Sequence, residues 1–477
     1  MNRLISSCAA LLLVVACGDN HHPDAPADAN PPADANLCAA VTCTASDACH
    51  EAGTCDAATG RCSNPAKADG VTCNDSNACT QSDVCHAGVC GGTAYTCNPN
   101  NCVDGAACNG DGTCSFPAPP ARAPRNLALS FAAPSFAASG TAPQYAVIGD
   151  LNRDCKADIA VTNLNSNNLS VFLGDGSGTF GTPTAVATGA NPVGLVASDF
   201  NRDGILDLAV ANNADNTLLI LLGNGAGGFT VHVTLPVPTG SRPSPLVVAD
   251  FNGDGFADLA AGNGSTASIS VLLGDGTGGF AAATSVAVGT LPLAMAVGDF
   301  NGDHYPDLAV ANLINNNVSV LLGNGTGGFG AATNFAVGGS PEGVLVTDLN
   351  EDGKLDLVLA DNGSNNLSVL IGDGAGNFAG TSLAEGNTAA SGPSFVVGGD
   401  LDLDGHVDLF VVNNREGTVG VLPGSGAGTF PGPFSYTDVG RIPGRAVVGD
   451  LNGDGLPDAV FTSGNSNGIG VMLNTSH

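Results

Sequence analysis

The chain has no tryptophan, three methionines and four tyrosines, so it lacks the aromatic platforms on which many lectins stack sugar rings. Basic residues are nearly as scarce: 13 Lys and Arg face 44 Asp and Glu, giving a formal charge of −31. A surface of that sign repels nucleic acid and anionic membranes. The longest N-terminal apolar stretch, Leu4 to Ala16, has thirteen residues, where a bilayer-spanning helix needs about 20. No segment after it carries a helical period. Catalytic material is thin as well. Residues 127–477 hold two lysines, six arginines, four histidines and three tyrosines, and His232, His304, His406 and His477 share no local motif. Arg202, Arg242, Arg415, Arg441 and Arg445 are dispersed, and they read as solvated loop charges unless the fold gathers them. Glycine-rich segments such as GDGSGTF (174–180) are followed by no helix, so they are turns and no nucleotide site is expected.

What the chain has in abundance is one nine-residue pattern, with Asp or Asn at positions 1, 3, 5 and 9. It occurs as Asp150/Asn152/Asp154/Asp158, Asp199/Asn201/Asp203/Asp207, Asp250/Asn252/Asp254/Asp258 and Asp299/Asn301/Asp303/Asp307. The other three copies are Asp348/Asn350/Asp352/Asp356, Asp400/Asp402/Asp404/Asp408 and Asp450/Asn452/Asp454/Asp458. Calcium is a hard cation that takes six to eight oxygens, and short Asp and Asn side chains on a tight turn can converge on it. The backbone carbonyl of position 7, Phe256 in the third copy, would be a fifth ligand. Without a cation, each like-charge pair at about 5 Å costs up to roughly 3 kcal/mol at an effective dielectric near 20. Up to seven calcium ions are therefore expected, and they would bring the formal charge from −31 to −17. Position 6 should adopt positive φ and wants glycine. Five copies comply, and Cys155 and His304 are the exceptions. An EF-hand is excluded because it needs Glu at position 12, where this chain has Val161, Val210, Ala261, Val310, Leu359, Val411 and Phe461.

The copies begin at intervals of 49, 51, 49, 49, 52 and 50 residues. A period near 50 with four short strand signals suits a propeller blade. In the second repeat the strands are expected at Val193–Ser198, Leu206–Asn212, Thr217–Leu222 and Phe229–Leu235. The paired motifs D-F-N-x-D-G-x-x-D-L and L-L-G-[DN]-G-x-G-G-F, as in Asp199 to Phe229 and Asp250 to Phe280, resemble the FG-GAP/VCBS repeats of integrin α-subunits and bacterial surface proteins. That resemblance implies calcium at the loop residues named above, and an all-β, seven-bladed propeller over 127–477. The last unit stops one strand short. Phe131 to Ser139 resembles the missing piece and should complete the seventh blade, closing the ring and removing its free edges.

The N-terminal third reads differently. Arg3 and the apolar stretch form an export signal, and Val14-Val15-Ala16-Cys17 resembles the lipobox of bacterial lipoproteins. That resemblance implies cleavage after residue 16, lipid on Cys17 and, with Gly18 following, the outer membrane; an ordinary cleaved signal is the alternative. Residues 18–37, rich in Pro, Ala and Asp, form a tether. Residues 38–115 carry thirteen cysteines, which in an exported protein form a disulfide framework; their spacing lacks Cys-x-x-Cys pairs, against zinc. Cys73 to Cys90 resembles cysteine-rich repeats of slime-mould extracellular proteins, implying a stalk. Cys155 either pairs with the odd cysteine of this module or stays free. A Pro-rich linker, 116–126, follows. The expected protein is a calcium-binding envelope lipoprotein whose propeller binds protein or polar glycan partners. It meets the membrane through its lipid alone. A propeller-based polysaccharide lyase or hydrolase, and a purely structural component, are the alternatives.

Overall fold

The computed structural model describes residues 129–476 apart from 384–391, 432–434 and 441, together with short stretches between residues 49 and 115. The chain divides into two compact units, Met1–Tyr95 and Thr96–His477. In the first, Thr80–His86 and Val89–Ala94 form an antiparallel hairpin with Cys85 opposite Cys90. Cys49 is buried, and the sulfurs of Cys49 and Cys62, like that of Cys155 in the second unit, are in disulfides. The lipobox, the tether and most of the module's cysteines lie outside the described residues.

In the second unit residues 129–476 form a ring of seven four-stranded antiparallel sheets, with no helix among the described residues. Blade 2 shows the unit: Pro192–Ser198, Asp207–Asn212, Thr217–Gly223 and Phe229–Pro236, each within one residue of its expected bounds. The second strand is buried at every position in all seven blades, because both of its faces pack against neighbouring blades. The core is accordingly seven inter-blade clusters. One joins Phe200, Ala209 and Ile220 of blade 2 to Leu246, Leu259 and Leu272 of blade 3, and another joins Val460 and Ile469 of blade 7 to Ile159 and Phe172 of blade 1.

The ring closes as expected. Ser135–Ala138 pairs with Gly468–Met472, with Ala137 opposite Ile469, and Ala132 N–H donates to Leu473 O at 2.8 Å. Residues 135–138 and 468–472 thus share one blade, which leaves no open sheet edge where the ring meets itself.

Every innermost strand starts at a proline: Pro143, Pro192, Pro243, Pro292, Pro341, Pro393 and Pro443. The residue before each has φ between 52° and 65°, a left-handed conformation that Ile442 and Leu291 adopt despite their bulk. Asn side chains of the preceding blade hold this turn, as where Asn191 N–H donates to Asn167 Oδ1 at 2.9 Å and Ala142 N–H donates to Asn467 Oδ1 at 3.1 Å across the closure. Just past each proline the pairing with the second strand slips register. Such bulges redirect side chains.

Candidate metal loops and the axial mouth

The Asp/Asn pattern forms the loop between the first and second strands of every blade. Position 1 accepts from the position 6 amide: Asp250 Oδ2 receives Gly255 N–H at 2.7 Å. Position 3 accepts from position 5, and position 5 from position 7, as in Asp254 N–H to Asn252 Oδ1 at 3.0 Å and Phe256 N–H to Asp254 Oδ1 at 2.8 Å. The same pattern recurs in the first loop, through Asp150, Asn152 and Asp154, and in the last, through Asp450, Asn452 and Asp454. It holds in the four loops between as well. There Asp203 N–H donates to Asn201 Oδ1 and Asp303 N–H to Asn301 Oδ1, both at 3.0 Å. Asp352 N–H donates to Asn350 Oδ1 and Asp404 N–H to Asp402 Oδ1, both at 3.1 Å. These turns wrap the side-chain oxygens of positions 1, 3 and 5 into one small loop.

Position 9 does more than its spacing announced. Its aspartate is fully buried in all seven blades, and its two oxygens accept two backbone amides. Asp258 takes Phe251 N–H at 2.8 Å on Oδ2 and Gly274 N–H at 2.7 Å on Oδ1. Asp158, Asp207, Asp307, Asp356, Asp408 and Asp458 do the same with their own position 2 amide and with the amide sixteen residues further on. That distant residue is glycine in six blades because a Cβ at Gly274 would sit 2.3 Å from Ala257 O; in blade 7 it is Asn474. Burial pushes these carboxyls up, against the amide hydrogen bonds and with help from the neighbouring aspartates. Asp207, Asp258 and Asp458 reach about 6, and Asp408 about 7.

The donor set fits a hard divalent cation. Each position 9 oxygen keeps a lone pair after its one amide bond, and a 2+ charge would relieve the strain that burial and crowding place on that carboxylate. In blade 6, Asp400, Asp402 and Asp408 bring carboxylate oxygens within 4.8 Å of one another.

The hydrogen bonds that hold the four side chains of each loop differ in detail from blade to blade. Asp404 lies beside this cluster, its charge acting on Asp402 and Asp408, and its Oδ1 accepts from His406 N–H at 2.8 Å. In the other loops no three acidic oxygens come so close among the described residues. Asn201, Asp203, Asn301 and Asp303 are tied to each other instead: Asn201 Nδ2 donates to Asp203 Oδ2 at 2.9 Å, and Asn301 Nδ2 to Asp303 Oδ2 at 2.8 Å. The third and last loops repeat this bond, from Asn252 to Asp254 and from Asn452 to Asp454. Position 5 thus gives one oxygen to the position 3 amide and the other to the backbone. In the fifth loop Asn350 keeps its Oδ1 on the backbone, while Asp352 Oδ2 faces Lys354 Nζ at 3.6 Å. Lys156, at the same place in the first loop, puts Nζ 3.7 Å from Asp154; such exposed pairs contribute little.

Position 6 has positive φ in every loop, including Cys155 at 66° and His304 at 67°, as the turn requires. Position 4 is left-handed as well, at Arg153, Arg202, Glu351 and Leu403, a requirement that the glycines at 253, 302 and 453 signalled only in part.

The loops also hold neighbouring blades together. Position 2 carbonyls accept from the glycine turn of the next blade, as Phe200 O does from Gly278 N–H at 2.9 Å. Position 2 rings meet the phenylalanine closing that turn edge-on: Phe200 with Phe280 at 5.7 Å, Phe251 with Phe329 at 5.3 Å and Phe300 with Phe378 at 5.5 Å. Ordering one loop therefore fixes one blade against the next.

At the proline end of the innermost strands the repeat breaks down. Two residues after each proline stand Tyr145, Gly194, Pro245, Ala294, Gly343, Phe395 and Arg445. Arg445 of blade 7 reaches across the ring axis to blade 4, where Nη2 donates to Leu293 O at 3.0 Å. Its guanidinium lies 4.0 Å from the Tyr145 ring centroid and 5.1 Å from that of Phe395. Glu342 of blade 5 is mostly buried; desolvation raises its pKa, and the charges of Arg445 and Arg415 oppose that rise. Of the dispersed arginines, Arg445 and Arg415 thus bear on one carboxylate. Arg202 instead stacks on Phe256 at 5.1 Å, Arg242 Nε donates to Asn213 Oδ1 at 3.2 Å, and Arg441 lies outside the described residues. His304 and His406 belong to the Asp/Asn loops and His232 to the outer strand of blade 2; His477 lies outside the described residues.

These features define the class: a seven-bladed β-propeller carrying an Asp/Asn loop in each blade. The profile of the FG-GAP-like repeat matches residues 150–210, 199–261, 250–310, 299–359, 348–411 and 400–461, and the chain belongs to that family. No curated protein sequence matches it. Among solved structures it is similar to a virginiamycin B lyase from Staphylococcus aureus, with a TM-score of 0.51 and 15% identity over 72% of this chain and 99% of that one. A streptogramin B lyase gives 0.52 and 16% over 74% and 100%. BBS1N in complex with ARL6DN gives 0.51 and 14% over 73% and 98%. At these identities the likeness is one of fold.

Proposed function

We propose that the protein is a calcium-rigidified binding scaffold of the cell envelope, held to the outer membrane by lipid on Cys17 and presenting its propeller to protein or polar glycan partners. One observation carries the reading: the same oxygen-rich loop, folded with one hydrogen-bond scheme, stands in all seven blades, and in six of them its position 2 carbonyl bonds to the next blade. Calcium at Asp150, Asp199, Asp250, Asp299, Asp348, Asp400 and Asp450 and their loop partners would stiffen the ring without taking part in chemistry. The disulfide state of Cys49, Cys62 and Cys155 supports an oxidising compartment, and with it a disulfide-rich stalk over 38–115.

The test is made in cells expressing the full chain. The protein should fractionate with the envelope, and Cys17→Ser should release it. Attachment of those cells to protein- or glycan-coated surfaces should need both the chain and calcium. A wild-type chain found free of the envelope would contradict the anchor, and attachment indifferent to chelation and to loss of the chain would contradict the scaffold.

A polysaccharide lyase or hydrolase is the second reading, favoured by Glu342, a half-buried carboxyl at the axial mouth whose pKa is raised by desolvation, of the kind general acids use. Cleavage of acidic polysaccharides by the purified chain, abolished in Glu342→Gln, would establish it.

A further inference from the structure

The seven blades repeat their metal loops but not their axial residues, and the unrepeated positions concentrate hydrogen-bonding capacity that the protein leaves unused. A guanidinium has five N–H donors. Arg445 gives one hydrogen bond, to Leu293 O, and its other donors meet no acceptor among the described residues. The Tyr145 hydroxyl is buried without a partner. Glu342, drawn into the same field by Arg445 and Arg415, has no hydrogen bond or ion pair among the described residues.

Half-buried charged groups without partners cost free energy, and nothing in the packing of the ring demands them. The neighbouring blades fill the equivalent place with Gly194, Ala294 and Gly343. The stacking of Arg445 between Tyr145 and Phe395 fixes the plane of the guanidinium, so its free edge is pre-oriented for the bidentate contact that arginine makes with a carboxylate. The register slip just past each proline is the kind of bulge that aims side chains into a site.

We propose that the axial mouth binds a small molecule bearing a carboxylate next to a hydrogen-bond donor, the carboxylate on the free edge of Arg445 and the donor on Glu342. A sugar acid, whose donor is a hydroxyl, and a free α-amino acid, whose donor is an ammonium, share this chemistry. The site draws on blades 1, 4, 5, 6 and 7 and does not depend on metal in the loops, so it stands or falls separately from the calcium reading.

The test is isothermal titration of the purified full chain with D-glucuronate, with L-alanine, and with D-glucose as the uncharged control, repeated with and without calcium. At least one of the two acids should bind saturably at one site per chain, whichever binds naming the source, and glucose should not bind. Arg445→Lys keeps the charge and most of the stem but loses the planar fork, and should weaken binding at least tenfold. Glu342→Gln should weaken it several-fold. If Arg445→Lys fails to fold, Glu342→Gln takes its place as the deciding variant. No saturable binding of either acid to the wild-type chain, equal binding of glucose, or affinity unchanged in the arginine variant (or in the glutamate variant standing in for it) would overturn the proposal.

Discussion

At the loop end of the blades, position 9 is aspartate seven times and receives the same two amides each time. At the proline end, the residue two places into the innermost strand is aromatic, cationic or nearly absent, depending on the blade. Both ends turn the chain sharply, the loop end between two strands of one blade and the proline end on entry to the next blade. The loop end meets it with one solution repeated, which belongs to holding the ring together. The proline end varies its side chains over a constant backbone, and that variation gathers Arg445, Tyr145, Phe395 and Glu342 at one place on the axis.

The sharpest way to break this contrast is at position 9. Asp258→Ala leaves the amides of Phe251 and Gly274 without their acceptor, at about 1–3 kcal/mol for each buried group. In chelator, where no metal contributes, the urea midpoint should fall by the equivalent of about 2–6 kcal/mol. Asp254→Ala, at an exposed loop position, should cost under about 1 kcal/mol in chelator, within the ordinary range for surface changes. Equal losses would mean that the two buried amide bonds of position 9 contribute no more than the exposed ones of position 5.

At the proline end, Asp361 stands where the other blades have Asn163, Asn212, Asn263, Asn312, Asn413 and Ser463. It is fully buried, accepts from Ser368 Oγ at 2.6 Å and Gly338 N–H at 3.2 Å, and leaves Oδ1 without a partner. Burial raises its pKa to about 7 from 3.8. The folded chain therefore holds a proton that the unfolded chain has lost, and this contribution to stability fades as pH rises from about 4 to 7. Asp361→Asn should flatten that slope and, at pH 8, stabilise the protein by on the order of 1–3 kcal/mol, read from denaturant midpoints across pH. A variant with the wild-type slope would show that Asp361 is ionised throughout.

The smallest expected effect returns to the loops. His304 holds φ at 67° with its side chain 95% exposed, so His304→Gly loses no packing and removes a left-handed penalty of about 1–2 kcal/mol, partly offset by glycine's freedom when unfolded. A rise in melting temperature of a few degrees is expected, and a fall would show that the imidazole matters through Asp299, 3.7 Å away.

Repetition decided what could be seen beforehand. The strands of blade 2, the positive φ at Cys155 and His304, and the closing strand at Ser135–Ala138 were legible because seven copies in phase show which residue types a place accepts. The order of the loop side chains was legible too, but not that Asn201 and Asn301 turn their amides onto Asp203 and Asp303, since spacing carries no rotamer. The second task of position 9 left a fainter mark, the glycine sixteen residues later, whose meaning depends on the carbonyl 2.3 Å from its missing Cβ. The axial cluster left none. Tyr145 and Arg445 are 300 residues apart, their blade equivalents are small or apolar, and only closure of the ring stacks one on the other.

The central claim is that seven like loops hold seven like ions and that the ions stiffen the ring. Its most direct test is calcium stoichiometry by isothermal titration of the chelator-stripped full chain, with its melting temperature measured in calcium and in chelator. The account predicts six or seven sites and a large rise in melting temperature, since each site at a hundredfold excess over its Kd adds about 2.7 kcal/mol. Equal melting temperatures with few or no sites would contradict it, and would leave the Asp/Asn loops as turns held by their own backbone amides.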